Sequence, residues 1–145
     1  MDYMDRPTEV EKHPDARSFI RDAAGGDGDV LALLWSFWNF THMLDDLLDE
    51  SGWEDEKLCL AYKAIHDWHL QLLFNPFLLE NSRSIFTMLV QMLDRDLAAK
   101  DMPKESEREK GLAEAVRCAD IDFVNNIVYL KRGWEMMRAL SERKY

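Results

Sequence analysis

The sequence predicts an all-α protein, an antiparallel bundle of about four main helices with a short helix at its N-terminal end. Three observations carry this expectation. Apolar residues recur at i, i+3 and i+4 along most of the 145 residues, the spacing of one helix face. No alternating run of β-branched residues competes for strand structure. Breaks are few and sharply placed, at Gly25-Gly26-Asp27-Gly28, Ser51-Gly52, Asn75-Pro76 and Pro103.

Each element follows from local chemistry. Residues 1–14 mix charges with Pro7 and Pro14 and lack an apolar period, so a flexible arm is expected there and a single helical domain over 15–145. Pro14-Asp15 to Ala24 reads as a short helix docked by Phe19 and Ile20. Three glycines within four positions end it, because glycine gives up the most backbone freedom in a helix. Asp27 or Asp29 then caps a long helix over about 29–50, closed by Ser51-Gly52. A second helix follows Trp53 to about Phe74, with Leu58, Ala61, Tyr62, Ile65, Trp68, His69 and Leu72 on one face. Asn75-Pro76 interrupts it, since proline disfavours helical geometry in the residue before it, and Pro76–Glu80 forms a short turn.

Asn81 or Ser82 caps a third helix over about 82–100, with Ile85, Met88, Leu89, Met92, Leu93 and Leu97 inward. Beyond Pro103 the last helix runs from Lys104 or Leu112 to Glu142. Its inward row is Leu112, Val116, Ala119, Phe123, Ile127, Leu130, Trp134 and Met137.

Charge narrows the function classes. Eighteen basic against 28 acidic residues give a net charge of −10, which argues against broad electrostatic binding to nucleic acid or to an anionic membrane. No apolar run reaches the ~20 residues that span a bilayer, and the N-terminus lacks the apolar core of a secretory signal. Cys59 and Cys118 form no framework and read as reduced thiols, so a cytoplasmic protein is expected.

The most informative stretch is Leu34–Glu50, an apolar run ending in Asp45, Asp46, Asp49 and Glu50. On a helical wheel Leu33, Leu34, Phe37, Phe40, Leu44, Leu47 and Leu48 form one sector, and Asn39, His42, Asp46, Asp49 and Glu50 gather opposite. Carboxylates three or four apart point the same way and repel. Two readings stand side by side. The acidic end emerges into water and surface ion pairs, or a hard cation such as Mg²⁺ relieves the repulsion through one or two carboxylates.

A second polar seam runs along the last helix through Asp122, Asn125, Asn126 and Tyr129. Asp122 with Asn126 supplies metal oxygens, or else belongs to a hydrogen-bonded layer that fixes helix register. The candidate metal ligands are thus Asp45, Asp46, Asp49 and Asp122. His66 and His69 are three apart and could share a metal if both turned inward, but a satisfied structural role is the favoured reading, because the sequence offers no further ligands to complete such a site. No Glu-x-x-His, HExxH, glycine-rich phosphate loop or Gly-x-Ser-x-Gly elbow occurs.

Phe40–Glu50, FTHMLDDLLDE, resembles the aspartate-rich motif of class I terpenoid synthases. The resemblance covers one helix and implies Mg²⁺ held by Asp45, Asp46, Asp49 and Glu50 against a diphosphate. The family's second metal motif is not reproduced, because Tyr129 stands at its hydroxyl position and Gly133 at its acidic one. The chain is also about half the length of such a synthase, so the activity is not carried over. LDDLLDE and FNPF (Leu44–Glu50 and Phe74–Phe77) are similar to strings in small phage and prophage proteins, which implies no chemistry.

These observations lead to a non-catalytic domain of mobile-element type that self-associates or binds a protein, with a homodimer interface wherever aromatic surface is left over. The alternative is a Mg²⁺-dependent enzyme acting on a diphosphate or polyphosphate, with Arg83, Lys131 or Arg132 meeting phosphate.

Overall fold

A computed structural model of the chain describes residues 13–117 and 119–142, the side chains of Leu48, Asp49, Ala119 and Asp120 excepted. Of the expected arm only His13 and Pro14 fall within these residues; the rest of that expectation, like Cys118, lies outside them. The described chain is all-α, with no strand among the described residues. Its contacts divide after Glu80 into two compact units.

The first unit begins with α1 (Pro14–Ala24), whose proline sits at a helix start where no backbone donor is missed. Ala16, Phe19, Ile20, Ala23 and Ala24 are buried along one face. Gly25 closes the helix in the left-handed region (φ 61°) and returns its N–H to the Arg21 carbonyl. Asp27, not Asp29, caps α2 (Gly28–Asp49): its carboxylate accepts the Val30 N–H at 3.0 Å.

After the turn at 50–54 comes α3 (Asp55–Phe74), with Asp55 and Glu56 in its first turn, where the helix dipole favours them. Phe37 and Phe40 of α2 lie 5.9 and 5.6 Å from the Trp68 ring of α3, and these three rings join the two helices. The short α4 (Pro76–Glu80) buries Phe77 and Leu78.

One buried polar residue locks this unit. Asn75 donates from Nδ2 to the Asp29 carbonyl (2.8 Å) and to Gln71 Oε1 (2.7 Å), and its Oδ1 accepts the Leu78 N–H (3.0 Å). It therefore ties the start of α2 to the α3–α4 junction while capping α4.

The second unit contains α5 (Ser82–Asp101), α6 (Glu107–Arg117), α7 (Ala119–Arg132) and α8 (Trp134–Ser141). Ser106 and Glu109 form a reciprocal capping box at the start of α6, side chain to backbone N–H in both directions (3.1 and 3.2 Å). Ile85, Phe123, Ile127 and Val128 are its most deeply buried large side chains.

Three expectations need correction. The last helix is not one rod to Glu142, because Gly133 adopts φ 86° between α7 and α8, a conformation closed to a regular helix. The inward face of α3 is rotated: Ala61, Ala64 and Trp68 are buried, whereas Leu58, Tyr62, Ile65 and His69 are exposed. On α5, Ile85 and Met92 are buried but Leu93 and Leu97 are not, and of the last predicted row Leu112 and Trp134 are also exposed. On α3, on α5 and along the last row, the apolar sector is wider than the part of it that is buried.

Candidate functional site

The polar seam of α2 passes from buried to open along its length. Asn39 is 6 % exposed and Thr41 is buried, donating its hydroxyl to the Trp38 carbonyl at 3.1 Å. His42 is half-buried, its Nδ1 2.9 Å from the same carbonyl and its ring stacked on Trp38. Asp46 and Glu50 lie further along, at the α2–α3 reversal.

There the cation is a side chain of the protein itself. Lys57 Nζ lies 3.1 Å from Asp46 Oδ2, pairs with Glu50 Oε2, and sits 5.3 Å from the centre of the Trp53 ring. Its pKa is raised by the hydrogen bond to Glu50 and then by Asp46, against a partial desolvation that lowers it. Lys57 thus meets the carboxylate repulsion that the sequence assigns to water or to Mg²⁺.

Beneath this cluster Ala61 and Ala64 face Asn39 and Met43, and their small side chains leave a pocket of about 470 Å³ between α2 and α3. Asp46, Glu50, Trp53, Glu54, Glu56 and Lys57 are at its lining. Four carboxylates against one ammonium make this lining acidic.

Asp122, the fourth expected ligand, belongs to the second unit. It accepts from Arg95 Nη1 at 2.7 Å, and the same guanidinium donates to the Ala115 carbonyl at 3.1 Å, joining α5, α6 and α7. Asp122, Asn125 and Asn126 line a second pocket of about 320 Å³ together with Gln91, Arg95 and Ser141. Asn125 Oδ1 is buried there and accepts no hydrogen bond among the described residues.

Each seam therefore borders a pocket made by its own unit. Asp45 is half-buried and engaged within the chain, and the Asp49 side chain lies outside the described residues. Among the described residues no group of three or more His, Cys, Asp and Glu side chains is disposed to hold a metal ion. His66 pairs with Asp67 (3.1 Å) and His69 Nδ1 lies 2.7 Å from the Ile65 carbonyl, both on the exposed side of α3. Arg83, Lys131 and Arg132 are exposed on α5 and α7 of the second unit.

Sequence reasoning missed Lys57, Arg95 and Asn75. For Asn75 the signal was present, an Asn directly before a proline that starts a helix. Ser106-x-x-Glu109 likewise reads as a capping box.

The unused apolar surface is the other functional feature. On α3, Tyr62 is 71 % exposed, and Leu58, Ile65, Leu73 and Phe74 are exposed with it. On α5, Phe86, Val90, Leu93 and Leu97 form a row at steps of four, three and four, with Val90 and Leu97 each 59 % exposed. No helix of the described residues is long and apolar enough to cross a membrane. Comparison of the chain with protein-family models, with curated proteins and with solved structures gives no match.

Proposed function

We propose that this chain is a cytoplasmic, non-catalytic interaction domain of mobile-element type that self-associates through α5. The observation that carries the reading is the outward row Phe86, Val90, Leu93 and Leu97. A 3–4 repeat of apolar residues is the pattern by which one helix seats on another, and leaving four such side chains in water forfeits their burial energy. The site chemistry supports this reading, because Asp46 and Glu50 pair with Lys57 and Asp122 pairs with Arg95.

The Mg²⁺-dependent reading would draw on the same Asp46, and there a metal would have to displace Lys57. Light scattering over a range of concentrations tests self-association. The expected mass rises from 17.0 kDa toward twice that value as concentration increases. Added salt strengthens the complex, because each copy carries a charge of −10. A mass fixed at the single-chain value at every concentration and salt level overturns the proposal.

A further inference from the structure

We infer that the occupant of the α5 row is α5 of a second copy, laid antiparallel across it; this rests on the self-association proposed above and adds its geometry. The row is palindromic in its chemistry. Turning one helix end for end sets Phe86 opposite Leu97 of the second copy and Val90 opposite Leu93, so all four side chains meet apolar partners about one two-fold axis.

The flanks select the direction. Arg83 and Asp101 are five turns apart at 3.6 residues per turn, so both lie on the same flank of the row, one just beyond each end. In the antiparallel arrangement this flank meets its own copy reversed, which places Arg83 beside Asp101 of the second copy, twice per dimer. Asp94, on that flank too, falls near the uncharged Thr87.

A parallel two-fold arrangement instead carries this flank to the far side of the seam and leaves Arg83 and Asp101 at opposite ends, so the two never meet. Both groups are exposed, and neither makes an ion pair among the described residues. The row on α3 lacks this device: it begins beside Glu54, Asp55 and Glu56 and ends at Phe74-Asn75-Pro76 with no base. A single helix row is smaller than the ~800 Å² per partner of a standard interface, so the dimer is weak and reversible.

Charge reversal tests the orientation in the full chain. Arg83→Glu alone and Asp101→Arg alone each set like charges together at both ends, and each is expected to weaken the dimer about tenfold in sedimentation equilibrium. The double variant Arg83→Glu, Asp101→Arg restores both pairs and is expected to recover wild-type association. Circular dichroism of each variant reports its helix content, so loss of fold is distinguished from loss of pairing. A wild type that dimerises while single reversals leave its dissociation constant unchanged overturns the antiparallel seam and leaves self-association standing. Single reversals that weaken the dimer without recovery in the double variant overturn it as well. A wild type that never dimerises removes the proposed function itself.

Discussion

Helices α3 and α5 are each 20 residues long, and each turns a row of large apolar side chains outward. They differ in what else their sequences carry. The inward side of α3 is held at three levels, by Lys57 at its start, Trp68 in the middle and Asn75 at its end. Its outward row has acid at one end and no base at the other. The inward side of α5 is a plainer line of Ile85, Met92 and Ala99, while its outward row ends in opposite charges. In the dimer proposed above, exposed grease alone does not define the binding face; the charges at its ends do.

The comparison breaks most visibly at the centre of α3. Trp68→Ala removes the ring shared by Phe37 and Phe40 and is expected to destabilise the first unit by about 3–5 kcal/mol in denaturant unfolding. Asn75→Ala comes next. It strands the buried Leu78 N–H and the Asp29 carbonyl, a loss of about 2–3 kcal/mol, and Asn75→Asp is expected to recover only the Leu78 cap.

Lys57→Met has the smallest effect, within about 1 kcal/mol, because the ion pairs are partly solvated. Its pH dependence gives it away. The Lys57 pKa is raised in the folded chain by Glu50 and Asp46, so the stabilisation is fully present below the ordinary lysine value near 10.4. It is lost as pH rises beyond that value and through the folded pKa. Wild type should therefore converge on Lys57→Met in strongly alkaline urea melts and stay apart from it by a constant margin at neutral pH. A margin that grows with pH would assign the effect to another group.

Much of this is legible in the sequence. The breaks at Gly25–Gly28, Ser51-Gly52 and Asn75-Pro76 place the ends of α1 to α4 to within a residue or two, because glycine and proline act locally. The buried Asn39 beside Asp46 follows from a polar seam on an otherwise apolar helix. The rest depends on distant partners. A periodic pattern says that α3 has an apolar side but not which 100° of it meets α2, so Tyr62 and Ile65 read as inward and lie outward. Lys57 and Arg95 are invisible as counter-ions until the chain reverses and brings them to Asp46 and Asp122. Gly133 sits within a periodic stretch and betrays its role only through its φ.

The sharpest test pits the two outward rows against each other. Sedimentation equilibrium of wild type, Val90→Asp and Tyr62→Asp at matched concentrations reads which face holds a second copy. Val90→Asp should be monomeric, with its charge stranded in the α5 seam, while Tyr62→Asp should dimerise as wild type does. A dimer that survives Val90→Asp and dissolves with Tyr62→Asp would contradict the assignment to α5.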